Sequence, residues 1–509
     1  MKRKDWLWFL LAAAAFVVFY YFVGEDSPLH DIFYSRDHVD RRDTPWFFTC
    51  GKALMNGMIP YVEFADSKGP LLWLVYGLAY LISPHDYVGV FVLNGIGYLG
   101  TLLCMYLTVK MFVKKEWGAC LLVVLTIPFL FIPSMHYETK SEDTAIIFVA
   151  LTFWQAVRIL FTEKLTDKDW RRAFFLWGLC FGGTLMIKYN SSLMIAVFLG
   201  VMLLRLWKDK LRFWPVFWSA VGGAAVIIVP ILIWLACQGA LMAFIDDYFI
   251  QTPQTIANLK SSRNYFLQMV KDRADFRWIL LMILAGGAAA FTWLKEWKWF
   301  PMVCTAWFVG MILVFARGYY IIICGPLMVF IPLAFWFAVK EHTWPQLAAI
   351  AGILVVFGLV GYEHRKWYTK EYFGTPKELN TRRKNAHDVE DYIASKAFKP
   401  KILYYGCSDK ALGMKSEALP ACRYWSLQGG CTGQMTGDQQ ACVEQRRADF
   451  VLVKTDAKVR RKRLTDHGYV QVKGLPTVFG YNLFEKRPVP DHAFKAGEQD
   501  AAVAREGEN

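Results

Sequence analysis

The chain has 509 residues, 55% hydrophobic and 20% charged, with 21 Trp, 24 Tyr and 39 Phe. A soluble protein carries about 25% charged and 45–50% apolar residues, and here the apolar ones gather in long runs from Trp6 to about Tyr362, which excludes a string of soluble domains. The formal net charge of +14 lies largely in short loops beside those runs, where Lys and Arg mark the cytoplasmic side of a membrane protein, and without a zinc spacing, P-loop or dinucleotide fingerprint it argues against nucleic-acid binding.

Met-Lys-Arg-Lys followed by an apolar run from Trp6 to Val23 has the form of a signal anchor. No small-x-small cleavage site precedes Glu25-Asp26, so the run is expected to be retained, with its N-terminus in the cytoplasm. Runs close to the ~20 residues needed to cross a bilayer recur at about 87–110, 119–135, 144–162, 172–187, 190–206, 214–237, 277–294, 300–316, 319–338 and 345–362. Lys114-Lys115, Lys164 to Arg172, Lys208 to Arg212, Lys295 to Lys298 and Lys340 mark the cytoplasmic connections. The opposite connections are 25–69, His136 to Asp143, the turn at Lys188, 238–276 and Arg317-Gly318. About eleven crossings then leave the N-terminus inside and the C-terminal part outside. The apolar segment Pro70 to Ser83 has 14 residues, short for a span, and counting it would reverse every later loop. It is expected to lie as a helix at the outer membrane surface.

From about His364 the composition becomes that of a small soluble α/β domain. Lys401 to Tyr405 and Asp449 to Lys454 read as buried strands, Val389 to Ala397 as a helix, and Phe479 to Phe484 as a closing strand. The division is therefore a transmembrane domain over 1–362, an α/β domain over 363–488 and a disordered tail over 489–509. Six cysteines (104, 120, 180, 237, 304 and 324) fall in the apolar spans and serve as small apolar residues. Cys407, Cys422, Cys431 and Cys442 lie within 36 residues of one another, and in an exported domain an even number predicts two disulfides. No pair has C-x-x-C spacing, which argues against zinc.

The first outer loop carries the chemistry. A helix-like stretch from Pro45 to Met55 ends in Asn56-Gly57, Pro60-Tyr61 makes a turn, and Asp66-Ser67-Lys68-Gly69-Pro70 opens the surface helix. An acid and a base thus return to one membrane face. An Asp, a helix ending in Gly, then Pro-Tyr-x-(Asp/Glu)-Phe-x-Asp-x-Lys-Gly-Pro resembles the first periplasmic loop of GT-C glycosyltransferases, in the bacterial branch related to protein O-mannosyltransferases and the lipid A aminoarabinose transferase. The resemblance covers roughly residues 1–340 and implies a polytopic helical membrane fold with an outer C-terminal domain. It also implies transfer of a hexosyl or pentosyl group from a polyprenyl-phosphate donor to an acceptor hydroxyl at the outer face of a bacterial inner membrane, with inversion.

In the resembling family a catalytic acid stands about 14 residues before the Gly that closes the loop helix, which maps the base to Asp43 through Gly57. The family's second acid is replaced by Thr44, so Asp40 and Asp37 remain alternatives. Lys68-Gly69-Pro70 corresponds to the family's Lys-Pro-Pro or His-Pro-Pro element and makes Lys68 a candidate for the lipid phosphate, with Asp66 beside it. A carboxylate near the acceptor takes its proton as the new bond forms, and a cation opposite stabilises the departing phosphate. A single displacement needs no glycosyl-enzyme intermediate.

Other positions have two readings each. Glu142 or Glu138 is an active-site acid, as the family's second outer loop implies, or Glu142 and Asp143 only favour a helix start. Lys188 binds phosphate, or it snorkels to the surface. Arg317, before Gly318-Tyr319-Tyr320, is a third candidate for phosphate, while Arg263, Lys271, Arg273 and Arg277, in the segment opened by Asp246-Asp247, suit anionic head groups. The sequence establishes no cofactor; the resemblance leaves room for a divalent ion (Mg or Mn), which the second outer loop of some members holds. The competing function is a transporter or a flippase for lipid-linked sugars, which predicts mid-span charges and paired repeats that this chain lacks. An O-antigen ligase or polymerase would share the membrane character but not the early Asp loop. The partners are the polyprenyl-linked donor, a cell-envelope glycan, lipid or protein acceptor, and membrane lipid.

Overall fold

The computed structural model describes residues 3–24, 26–29, 43–131, 140–254, 274–295, 302–306, 308–309, 318–341, 376–427 and 431–488. The first helix, α1 (Arg3–Val23), has 21 residues and the composition of a span. In the first loop follow α2 (Asp43–Met55) and α3 (Pro70–Ile82). The bundle continues with α4 (Val88–Phe112), α5 (Glu116–Leu130), α6 (Ser141–Phe161), α7 (Asp167–Ile187), α8 (Ser192–Lys208) and α9 (Phe213–Cys237). Each coincides with an expected apolar run. Five helices among the described residues are long and apolar enough to cross a membrane, namely Arg3–Val23, Val88–Phe112, Ser141–Phe161, Tyr189–Lys208 and Phe213–Cys237.

After α9 comes α10 (Leu241–Ile245), which runs into a π-helical turn over Asp246–Gln251. Then come α11 (Ala274–Trp293), a 3-10 helix over Gly318–Val329 and α12 (Phe330–Glu341). The expected span at 345–362, the tail 489–509 and most of 300–316 lie outside the described residues. Phe16, Tyr98, Phe153, Phe198, Leu327 and Phe330 belong to the apolar core that joins the membrane helices.

The C-terminal part is an α/β domain built on α13 (Pro376–Lys396), which starts well before the expected Val389. Its strands are β1 (Lys401–Tyr405), β2 (Leu419–Pro420), β3 (Phe450–Lys454), β4 (Tyr469–Gln471) and β5 (Tyr481–Lys486), in the order β2-β1-β3-β5-β4. β1 pairs in parallel with β2 and β3, while β5 runs antiparallel to β3 and β4. Between the strands lie α14 (Gly433–Glu444) and α15 (Lys458–Asp466). The buried residues of β1 and β3 sit inside the sheet, which explains their unbroken apolar runs.

The two loop helices are fixed by local chemistry. Asp43 stands in the first turn of α2, where its charge favours the helix N-terminus. The helix ends at Gly57, whose φ of +81° lets the Gly57 N–H donate to the Leu54 carbonyl and the Met58 N–H to the Ala53 carbonyl, a Schellman closure. Pro70 opens α3 in the first-turn position that costs no hydrogen bond. Gly51 and Gly77 let the two helices touch, since a Cβ on Gly51 would come within 2.4 Å of the Gly77 nitrogen. Both helices pack into one apolar core with the C-terminal domain; Trp46, Phe47, Trp73 and Tyr76 share it with Tyr404 and Trp425. The Trp46 and Trp425 rings meet edge to face at 6.3 Å.

Candidate active site

The carboxylate mapped as base, Asp43, is buried at the start of α2. One turn later Phe47 lies against Tyr76 of α3, ring centroids 5.4 Å apart, and beneath the Lys68 ammonium, 5.3 Å from the Phe47 ring. The Tyr76 hydroxyl is buried and has no hydrogen-bond partner among the described residues. Burial, and then the charges of Asp26, Asp143 and Asp43, raise its pKa well above the ordinary range. Of the three, only Asp43 was singled out as a site residue by sequence. Asp26 reads there only as the acidic end of a signal anchor and Asp143 only as a helix start.

Lys68 is buried, 3.9 Å from the Asp66 carboxylate and 3.1 Å from the Ser67 hydroxyl. The Tyr61 hydroxyl donates to the Lys68 carbonyl at 2.8 Å, which holds this backbone in place. Gly69 is required next to it: its N–H donates to the Ile187 carbonyl at 2.9 Å, and a Cβ there would stand 2.0 Å from the Met186 carbonyl oxygen. That close approach seats the residue after Lys68 against the residue before Lys188, bringing two cation-bearing segments together.

At the start of α6 the two acids divide the roles that sequence left open between them. Asp143 accepts the Lys140 backbone N–H at 2.6 Å and the Tyr98 hydroxyl, so it is the capping acid. Glu142 instead meets the Lys188 ammonium at 2.5 Å and the Ser141 hydroxyl at 3.0 Å, all three residues being buried. Lys188 therefore neither snorkels nor stands alone; it neutralises a buried carboxylate. Glu138, Asp37, Asp40 and Arg317 lie outside the described residues. Among the described residues no three His, Cys, Asp or Glu side chains are placed to hold a metal ion.

The C-terminal domain grips this loop through polar contacts that sequence did not reveal. The Thr49 hydroxyl donates to Asp409 at 2.8 Å, Lys52 to the Gly413 carbonyl at 3.4 Å and the Tyr80 hydroxyl to Glu417 at 2.6 Å. Lys52 is buried on α2, and burial lowers its pKa to about 8, against the raising charges of Asp409, Glu390 and Glu417 and with Lys399 acting to lower it. Burial in turn raises Asp409 and Glu390, opposed by their hydrogen bonds to Thr49 and to the backbone N–H groups of 413–415. A lysine whose folded pKa lies below its unfolded one binds fewer protons when folded, so its burial cost is full below about pH 8 and relieved as pH rises toward 10.5. Lys52→Met is expected to abolish the part of the stability increase that the wild type shows across that window. Thermal unfolding in detergent against pH checks this; a rise unchanged in the variant would assign it to other groups.

A second grip lies on the π-helical turn after α10, a distortion common at functional sites. Asp247 there is buried and accepts the Tyr424 hydroxyl at 2.5 Å, while the Arg423 guanidinium stands 3.0 Å away. Burial raises the Asp247 carboxyl, and Tyr424 and Arg423 oppose the rise. The Arg423 carbonyl also accepts the Ala65 N–H at 2.8 Å, one residue before Asp66. No disulfide joins Cys407, Cys422, Cys431 or Cys442 in this structure, so it does not show the two expected bonds.

The family model for dolichyl-phosphate-mannose-protein mannosyltransferase matches residues 33–245. Among solved structures, ArnT from Cupriavidus metallidurans bound to undecaprenyl phosphate is similar at 13% identity over 96% of this chain and 100% of that one, with a TM-score of 0.58. The apo form of that protein is similar at 13% identity over 95% and 99%, with a TM-score of 0.57. The archaeal oligosaccharyltransferase AglB from Archaeoglobus fulgidus, in complex with an inhibitory peptide and a dolichol-phosphate, follows at 10% identity over 96% and 75%, with a TM-score of 0.49. No curated protein sequence matches the chain. Residues 33–245 thus match the mannosyltransferase family model, and the chain as a whole has the fold of ArnT, with five described helices long and apolar enough to cross a membrane.

Proposed function

We propose that this protein transfers a sugar from a polyprenyl-phosphate donor to an acceptor hydroxyl at the outer face of a bacterial inner membrane, inverting the anomeric centre. One observation carries the reading: a buried carboxylate, Asp43, lies at the same end of the bundle as the two lysine-bearing segments joined at Gly69 and Ile187. The fold match to ArnT, solved with undecaprenyl phosphate, supports a lipid-phosphate leaving group.

In this mechanism the acceptor O–H gives its proton to the Asp43 carboxylate while the acceptor oxygen bonds the anomeric carbon. The bond from that carbon to the phosphate oxygen breaks, and its electron pair leaves with the polyprenyl phosphate. Lys68 meets the phosphate charge as it develops, and Asp66 and Ser67 orient the ammonium. Lys188, held by Glu142, offers its remaining N–H donors from the neighbouring segment. The exclusion of water around these buried groups strengthens each electrostatic term. α3 has 13 residues and a length of about 20 Å, short for a span, and on this reading it lies along the outer surface with the C-terminal domain on the same side.

The test is transfer of labelled sugar from synthetic polyprenyl-phosphate sugars in membranes containing the wild type or Lys68→Ala. A charge-assisted contact contributes about 1.5–3 kcal/mol, so the variant's donor KM is expected to rise about 10–100-fold. Wild-type membranes that transfer from no donor, with the protein present, would refute the function and turn attention to a flipping assay. An unchanged KM in Lys68→Ala would refute its role alone.

A further inference from the structure

Cys422 and Cys442 are buried side by side in the C-terminal domain, on two pieces of chain held in register by hydrogen bonds. Cys422 closes a short turn, its carbonyl accepting the Trp425 N–H at 3.2 Å. Within that turn the Tyr424 N–H donates to Asp438 at 2.9 Å, and its carbonyl accepts the Gln439 amide at 2.8 Å. Asp438, Gln439 and Cys442 all stand on α14, with Cys442 one turn beyond Asp438 on the same face. The face that holds Tyr424 therefore also presents a thiol to Cys422. The other two cysteines have different surroundings: the Cys407 thiol faces the Leu452 carbonyl, and Cys431 is half-buried near Arg460.

We propose that Cys422 and Cys442 form one structural disulfide in the mature protein, and that this bond fixes the arm by which the C-terminal domain holds the catalytic loop. The arm is Arg423-Tyr424, which grips Asp247 through both side chains and Ala65 through the Arg423 carbonyl. Cys422 precedes it directly, so a covalent tie to α14 limits its movement away from the loop. Oxidation transfers two electrons and two protons from the thiols to the disulfide of a thiol–disulfide oxidoreductase, which departs as a dithiol. One sulfur forms a mixed disulfide first and the second then displaces the carrier. The inference rests on the outer placement of the domain, because such bonds persist in oxidising compartments.

The experiment alkylates the full-length protein from membranes in denaturant without reductant, digests it, and reads the peptides by mass spectrometry. Cys422 is expected only as a peptide disulfide-linked to Cys442, with both becoming alkylated after reduction. Protease added to sealed spheroplasts measures the domain's side independently. Alkylated Cys422 and Cys442 on a protease-accessible domain would overturn the disulfide alone; the same thiols on a protected domain would overturn the outer placement as well. A linkage of Cys422 to Cys407 or Cys431 would overturn the pairing. As a gain-of-reactivity control read on the Cys422 peptide, Cys442→Ser is expected to make Cys422 alkylated in denaturant without reductant, whereas Cys431→Ser leaves Cys422 blocked.

Discussion

Asp43→Asn is expected to lower kcat by about 10²–10⁴-fold, the usual contribution of a general base, with the donor KM little changed. Asparagine is as good as aspartate at a helix N-terminus, and the loss of the charge–dipole term costs only about 0.3–1 kcal/mol, so α2 and its buried neighbours stay in place. The amide cannot accept the acceptor's proton. Sugar transfer in membranes at matched protein level, together with the donor-concentration dependence, separates the two effects. A variant that transfers at the wild-type rate would reduce Asp43 to a helix-start residue and move the base to Asp40, Asp37 or Glu142.

The second large effect concerns the Glu142–Lys188 pair. Removing one partner of a buried ion pair costs roughly 3–5 kcal/mol, because the other charge stays buried without compensation. Lys188→Ala is therefore expected to lower the unfolding temperature in detergent sharply, since Glu142 has no exposed surface. The double variant Glu142→Gln/Lys188→Met removes both charges and is expected to recover most of the lost stability. If Lys188 also faces the donor phosphate, the double variant folds but keeps a raised donor KM. Recovery of both stability and KM would confine the pair to a structural role, and an unstable double variant would show that the hydrogen bonds around the pair matter more than its charge.

The apolar helices were legible because a membrane span is apolar along its whole length whether a side chain meets a neighbouring helix or faces outward, as in the largely exposed Arg3–Val23 and Phe213–Cys237. The same holds for Gly57 and for Pro70: one supplies the left-handed residue that closes a helix, the other the fixed φ that opens one. Lys401 to Tyr405 and Phe450 to Lys454 were readable as strands for a related reason, being covered on both faces. The start of α13 was missed because its first two turns, Pro-Lys-Glu-Leu-Asn-Thr-Arg-Arg, are too polar to show a helical stripe.

By itself the sequence determined the membrane character, the order of the helices, the acid-then-lysine pattern of the first loop and the α/β nature of the C-terminal part. All of these follow from composition, spacing or turn chemistry within a few residues. Tertiary structure alone decided that Glu142 neutralises Lys188 while Asp143 caps the helix, although the two acids are adjacent in the chain. It alone joined Thr49 to Asp409, 360 residues away, and Asp247 to Tyr424, 177 away. Such pairs leave no local trace. A buried carboxylate must find a donor or a counter-charge, but its sequence neighbours do not state which element will supply it, and here a domain at the far end of the chain supplies several of those partners.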